Sequence, residues 1–248
     1  MATTTPQAPA TATDHAWLTR LALNPANRHV QRDLTNAGRL HHRVMSLVPD
    51  HLGPNPRAQA GVLFRLDTDT IGAPTLLVQT RTPPDPGRLP HGYATAQTRS
   101  MQPALAALRP GLLIRYRLLG NAVRRCGRNS TAGKWKQAIP LHGDDADRWW
   151  TTRATTAGLT LHTILSTSTD ALTTWHPPQP TTSSHPPSPP SDRSRDDLRI
   201  DRAATLFEGT ATVTDPDTLR TAVLNGIGRS KSYGCGLLSL APATAAQG

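Results

Sequence analysis

The sequence predicts an α+β protein built from two tandem ferredoxin-like units, each of the order βαββαβ. Three observations carry that prediction. Short apolar runs alternate with helical periodicity through the first half, the same order recurs in looser form in the second, and a proline-rich stretch interrupts the second alone. A chain of 248 residues is long enough for two domains of about 100 residues each.

Ala16–Leu23 (AWLTRLAL) reads as a strand closed by Asn24-Pro25. From Arg28 to Val48, the residues Val30, Leu34, Ala37, Leu40, Val44, Leu47 and Val48 recur at helical spacing, and Pro49 ends the helix. Gly61–Leu66 and Thr75–Thr80 read as two strands around a turn at Ile71–Pro74. A loop and a helical patch near Pro103–Leu108 follow. Leu112–Leu118 (LLIRYRL) then alternates, with Ile114, Tyr116 and Leu118 on one face and Arg115 and Arg117 on the other. This strand completes a first unit over residues 16–125.

The second unit, residues 126–248, begins with a helix over Asp144–Ala157 that carries Trp149 and Trp150, read as core. Leu159–Ser166 and Thr205–Val213 are its next strands, Asp215–Asn225 a helix opened by Asp-Pro, and Cys235–Leu240 the last strand. Residues 176–191 hold seven prolines among Ser, Thr and Gln and read as an unstructured insert. Residues 1–15 read as a disordered tail: their Ala/Thr/Pro composition has no basic and no long apolar region, unlike a signal peptide. No apolar run approaches membrane-spanning length, so a membrane partner is not expected. Cys126 and Cys235 lack CxxC spacing, which suggests neither a disulfide framework nor a zinc site and suits the reducing cytoplasm.

Charge gives the first functional indication. The net charge is +10, yet residues 86–143 contain no Asp or Glu among 58 positions and hold ten cations: Arg88, Arg99, Arg109, Arg115, Arg117, Arg124, Arg125, Arg128, Lys134 and Lys136. The rest of the chain carries 17 charges of each sign. Such a segment binds a polyanion through counterion release, which points to nucleic acid. The competing reading is a solvated basic surface in an Arg-rich protein.

The sharpest local feature is residues 225–236, NGIGRSKSYGCG. Its glycines, Gly226 and Gly228 among them, permit close backbone approach to an anion, and Arg229, Ser230 and Lys231 supply charge and hydrogen bonds. It is not a Walker loop, because it runs from helix to strand and lacks GK[ST] after GxxxxG. A helix cap at Gly226 followed by a tight turn is the plainer alternative.

NGIGRSKSYGCGLLSLAP (Asn225–Pro242) resembles the C-terminal signature of the CasE family, the CRISPR RNA-processing endoribonucleases of type I-E systems. WLTRLALNP (Trp17–Pro25) is similar to that family's opening strand and RDLTNAGRLHHRVMSLVP (Arg32–Pro49) to its first helix. LLIRYRLLGNAVRR (Leu112–Arg125) is similar to its domain junction, and LFEGTATVTDP (Leu206–Pro216) to its late strand and cap. The resemblance implies paired ferredoxin-like domains that bind a CRISPR repeat hairpin and cut once at the 3′ base of its stem, with no metal or other cofactor. Attack by the 2′-OH leaves a 2′,3′-cyclic phosphate. The product stays bound as the protein sits among the other subunits of a type I-E Cascade complex.

On this resemblance the catalytic histidine is His41, with His42 its neighbour after a one-residue shift of the match. Helical geometry alone also allows His41 a structural place beside Leu34, Ala37 and Val48. The sequence departs from the family in two positions: a Tyr found three residues before the histidine is Gly38, and a Lys found five residues after it is Ser46. Arg39, His42 or Arg43 on the same helix, or Lys231 and Tyr233 on the loop, are the candidate substitutes. RNA binding is expected of Arg39, Arg43, Arg115, Arg117, Arg124, Arg125, Arg128, Lys134, Lys136, Gly226, Gly228, Arg229, Ser230 and Lys231. Trp135, between two lysines, either stacks on a base or ribose or packs on the second domain. Weakened catalysis is the preferred expectation. The alternatives are an RNA-holding subunit with little activity and a basic DNA-binding or ribosome-associated protein that shares only the fold.

Overall fold

The structure, a computed structural model, describes residues 15–68, 73–131, 133–176 and 198–243. The expected tail, apart from His15, and the proline-rich insert, apart from His176, lie outside the described residues.

The first sheet forms around β1 (Trp17–Leu23), whose alternation buries Thr19, Leu21 and Leu23 on one face. Two helices follow, α1 (Arg28–Leu34) and α2 (Ala37–Met45). The sequence predicts one continuous helix here. Asn36 breaks it by turning its side chain onto the backbone, where Oδ1 accepts from the amides of Gly38 and Arg39 and starts α2 afresh. A single turn, α3 (Pro56–Gln59), begins on a proline, and β2 (Leu63–Asp67) and β3 (Thr75–Thr80) form the expected pair. β4 (Ala94–Ser100) then pairs with β1, giving the antiparallel order β2-β3-β1-β4. Leu21, Val30, Leu40, Val44, Phe64, Val78 and Tyr93 fill the core between sheet and helices.

After α4 (Gln102–Ala106), β5 (Leu113–Gly120) opens the second sheet. The sequence reading placed this strand last in the first unit. Its partners are β10 and β11, so the strand belongs with the second sheet, and β4 is the fourth strand of the first. β4 escaped notice because it is an exposed edge strand, ATAQTRS, with no apolar alternation to read. The hairpin β6 (Val123–Arg125) and β7 (Ala138–Pro140) follows, then α5 (Asp144–Thr156), with three aspartates in its first turn where the helix dipole favours them. The expected strand over Leu159–Ser166 divides into β8 (Leu159–Leu161) and the start of β9 (Leu165–His176). β10 (Leu198–Val213), α6 (Pro216–Asn225) and β11 (Leu238–Pro242) complete the order β11-β5-β10-β8, with β9 also on β10. Both sheets thus place the last strand beside the first and the third strand between the first and second, which is the ferredoxin-like arrangement. Trp150 is fully buried against Tyr116 and Phe207, and Trp149 stacks on Phe207 from a half-buried position.

Polar side chains bind the sheets together. Arg65 on β2 is 2 % exposed. It grips Asp67 with both arms of its guanidinium at 2.8 and 3.2 Å. Its Nη1 also donates to the carbonyls of Arg117 and Leu237 and to the Ser239 hydroxyl, on and next to β5 and β11. Gln79 on β3 donates to the carbonyls of Val223 and Leu224, two of the acceptors that the last turn of α6 leaves open. Removing one partner of a buried pair strands the other, so Arg65→Ala should lower unfolding free energy by roughly 3–5 kcal/mol in urea titrations.

Candidate active site at the glycine-rich loop

Residues 226–237 join α6 to β11 and lie between the two sheets. The loop closes on itself, with the Ile227 amide donating to the Gly236 carbonyl (2.9 Å) and the Tyr233 amide to the Ser230 carbonyl (2.9 Å). The Gly236 amide anchors it to the Leu119 carbonyl of β5 at 2.8 Å. Gly226 caps α6 and begins this loop, as the plainer sequence reading of that position expects. Its φ of 72° and ψ of 156° suit glycine almost alone, and a Cβ there would lie 2.6 Å from Leu63 Cδ2. Gly228 (φ 77°) rests over the Trp149 ring. Ser230 takes a left-handed φ of 58° and initiates a single 3-10 turn, Lys231–Tyr233, which packs against α2.

That contact seats the loop against the helix that carries His41. The imidazole is half-buried, with its ring centroid 6.3 Å from that of Phe64, and Nε2 is buried with no hydrogen-bond partner. Burial, followed by the positive charges of His42 and Arg57, lowers its pKa below the usual 6.5 and favours the neutral ring at pH 7. Lys231 is also half-buried, and desolvation followed by the charge of Arg57 lowers its ammonium pKa. Arg57 on α3 was not among the residues singled out from sequence. It lines one open cleft, of about 520 Å³, with Asn121, Arg125, Arg229, Ser230, Lys231 and Tyr233. No carboxylate among the described residues lines that cleft.

The remaining expected residues divide among several places. His42 and Arg39 are exposed on α2. Arg43 is committed to structure: its Nε lies 2.8 Å from Asp33 Oδ2, and its guanidinium sits over the Tyr93 ring, while Tyr93 donates to the same carboxylate. Burial and that carboxylate push the Tyr93 phenol pKa well up. Ser46 turns its hydroxyl back onto the Arg43 carbonyl. Arg115 and Arg117 line a separate hollow with Thr163, Glu208 and Ser239, where Arg117 Nε is 3.4 Å from Glu208 and 3.8 Å from Asp67. Arg124, Arg125, Arg128, Lys134 and Lys136 are all exposed on the β6–β7 hairpin and its tip. No ion pair among the described residues engages these five. Trp135 is 54 % exposed beneath Lys136 Nζ at 4.0 Å and Arg128 at 5.2 Å, so it does not pack on the second domain.

A family model described as CRISPR associated protein matches residues 16–242. The CRISPR-associated endoribonuclease Cse3 of Thermus thermophilus is 31 % identical over 236 residues, covering 91 % of this chain and all of that protein. The chain belongs to the CasE family of CRISPR-associated endoribonucleases. The same relative's structure, described as bound to an RNA representing a pre-cleavage complex, is 28 % identical with a TM-score of 0.72, over 92 % of this chain and all of that one. A chain of a structure described as a CRISPR RNA-guided surveillance complex, pre-nicking, is 36 % identical with a TM-score of 0.62 over the same shares. The CasE match begins and ends with the two sheets, so it includes α2, the hairpin and the glycine-rich loop.

The loop's dependence on its glycine can be measured. Gly226→Ala should cost roughly 1–3 kcal/mol of stability, read as a lower urea midpoint. Gly127→Ala, where a Cβ meets nothing within 4 Å, should stay within about 0.5 kcal/mol of the parent.

Proposed function

We propose that this CasE-family chain cleaves CRISPR precursor RNA at the 3′ base of the repeat hairpin and keeps the product as a subunit of a type I-E surveillance complex. The observation that carries the reading is the buried, unpartnered Nε2 of His41 beside a cationic, acid-free loop. A buried polar atom without a partner costs about 1–3 kcal/mol, and a catalytic role is one of the explanations such an atom can have. In this reading the ribose 2′-OH supplies the missing partner.

The chemistry follows from the charges. A neutral His41 accepts the 2′-OH proton as the 2′-oxygen attacks the adjacent phosphorus. The P–O5′ bond breaks, leaving a 2′,3′-cyclic phosphate, and Lys231, with its lowered pKa, gives a proton to the departing 5′-oxygen. Arg229, Ser230 and the backbone at Gly228 face phosphate, and Tyr233 borders the cleft. The exposed hairpin cations Arg124, Arg125, Arg128, Lys134 and Lys136 grip the stem by its phosphates, since A-form RNA is read mainly through shape and backbone. Arg39 and His42 lie on the exposed side of the catalytic helix, where they flank the strand.

A second reading, an RNA-holding subunit with little activity, is favoured by Gly38, which offers no side chain to assist His41, and by the inward hydroxyl of Ser46. One experiment separates them. The protein is mixed with its own repeat RNA in EDTA and the product ends are analysed. Cleavage to a cyclic phosphate, abolished by a 2′-deoxy substitution at the cut, supports the nuclease. Tight binding without a cut leaves the holding subunit, and equal affinity for duplex DNA defeats both.

His41→Ala should slow cleavage by roughly 10²–10⁴-fold while hairpin affinity is kept. The parent's single-turnover rate should fall as pH drops through the lowered His41 pKa, because the protonated ring is no longer a base. Replacing Arg124, Arg125 and Arg128 together with Ala should weaken binding and flatten the slope of log K against log salt by about 2 to 3. An unchanged slope would remove the hairpin from the stem contact.

A further inference from the structure

We infer that Arg57 is a catalytic residue that clamps the non-bridging oxygens of the scissile phosphate opposite the glycine-rich loop. The inference rests on the cleavage reading above but adds a residue from an element, α3, outside the catalytic helix, the loop and the hairpin.

The geometry supports it in three ways. Arg57 shares one open cleft with Arg125, Arg229 and Lys231, so four cations converge there without a carboxylate among the lining residues. A cluster of like charges is unfavourable unless an anion enters it, and the cleft's other polar lining, Asn121, Ser230, Ser232 and Tyr233, offers only neutral groups. Arg57 is also held in place: Nη1 donates to the Val62 carbonyl at 3.0 Å, which fixes the plane of the guanidinium and leaves its other N–H groups to other acceptors. Among the described residues no ion pair involves it. Its charge, finally, acts on His41 and Lys231 alike, so both proposed reacting groups lie within its electrostatic reach.

The role follows from the reaction. As the 2′-O–P bond forms and the P–O5′ bond breaks, negative charge accumulates on the equatorial oxygens of the phosphorane. The 2′-OH proton goes to His41, and the 5′-oxygen takes its proton from Lys231. Neither transfer neutralises the equatorial oxygens. A guanidinium suits them, because it keeps its charge at any pH where the enzyme works and presents paired donors in one plane. Lys231 is flexible and gives up a proton, so it cannot hold that charge throughout the step.

Arg57→Gln is the informative variant, since the amide retains a donor for the Val62 carbonyl while the charge is lost. Arg57→Lys restores the charge without the fork. With full-length protein and its repeat hairpin, Arg57→Gln should lower the single-turnover rate by about 10²–10³-fold, as removing one preorganised donor does. Affinity for the 2′-deoxy RNA should change less than about tenfold, as expected when one phosphate contact of many is lost. Arg57→Lys should recover part of the rate. The acid limb of the pH–rate profile should move to higher pH in Arg57→Gln, because one of the charges opposing protonation of His41 is gone. His42 on the same helix remains, as do Arg39 and Arg43 of α2, Asp33 of α1 and Lys231 of the loop, so the limb moves without disappearing.

A binding arm works whether or not the parent cuts. RNA with a neutral methylphosphonate at the cut should bind the parent more weakly than the native phosphodiester does, and Arg57→Gln should bind the two equally. If Arg57→Gln distinguishes them as well as the parent does, Arg57 does not touch that phosphate and the inference fails. Wild-type cleavage rates in Arg57→Gln would also overturn it. A parent that binds but never cuts defeats the cleavage reading, and the methylphosphonate comparison then decides the phosphate contact on its own.

Discussion

The Arg65 guanidinium is the constraint on which the arrangement of the two sheets depends. It is buried, it neutralises Asp67 on its own strand, and it spends its remaining N–H groups on β5, β11 and the residue just before β11. A buried charge tolerates little displacement, because any opening of the sheets exposes donors and acceptors to a dry gap instead of to water. Gln79 works in the same sense one strand away, tying β3 to the last turn of α6. Arg81 reaches Asn225 at the end of that helix. The end of α6 and the start of β11 are therefore both fixed relative to the first sheet, and the glycine-rich loop is the segment that runs between them.

This explains why the catalytic candidates come from distant parts of the chain. His41 belongs to the first unit and Lys231 to the second, and the helix of one packs on the short turn of the other because the loop is seated over β2. Gly226 lies against Leu63 and Gly234 against Phe64, while His41 packs on the same phenylalanine. The two kinds of cation in the protein have correspondingly different duties. Those of the hairpin are exposed and, among the described residues, unpaired with carboxylates, which suits a salt-sensitive grip on a phosphate backbone. Those around the loop are partly desolvated, so their charge acts at higher strength on a reacting group.

Much of the fold was legible because it depends on local pattern. β1, β3, α5 and α6 lie within a residue or so of their expected bounds, since apolar alternation, helical periodicity and an Asp-Pro cap are written in consecutive residues. β4 was not legible, because an exposed edge strand needs no apolar face. The break between α1 and α2 hung on which way one asparagine side chain turned. Leu113–Gly120 was recognised as a strand with a buried and a basic face, yet its sheet was misassigned, because a strand's partners are chosen by shape and not by its own alternation. Among the candidate site residues, His41, Lys231 and the hairpin arginines were proposed from pattern and resemblance. Arg43 was expected to face RNA but is held by Asp33 and Tyr93, a pairing that no spacing announces.

The sequence by itself determined the class of fold, the acid-free basic segment and the family, because these are properties of composition and of residues near one another in the chain. Only the tertiary structure decided which charges are free to act. Arg57 stands sixteen residues after His41 and far from Lys231 in the chain, with nothing in its neighbourhood to mark it. It lines the same cleft as the loop because the sheets, held by a buried arginine, bring α3 and the loop together. Electrostatic influence follows distance and burial in space, and neither is encoded by position along the chain.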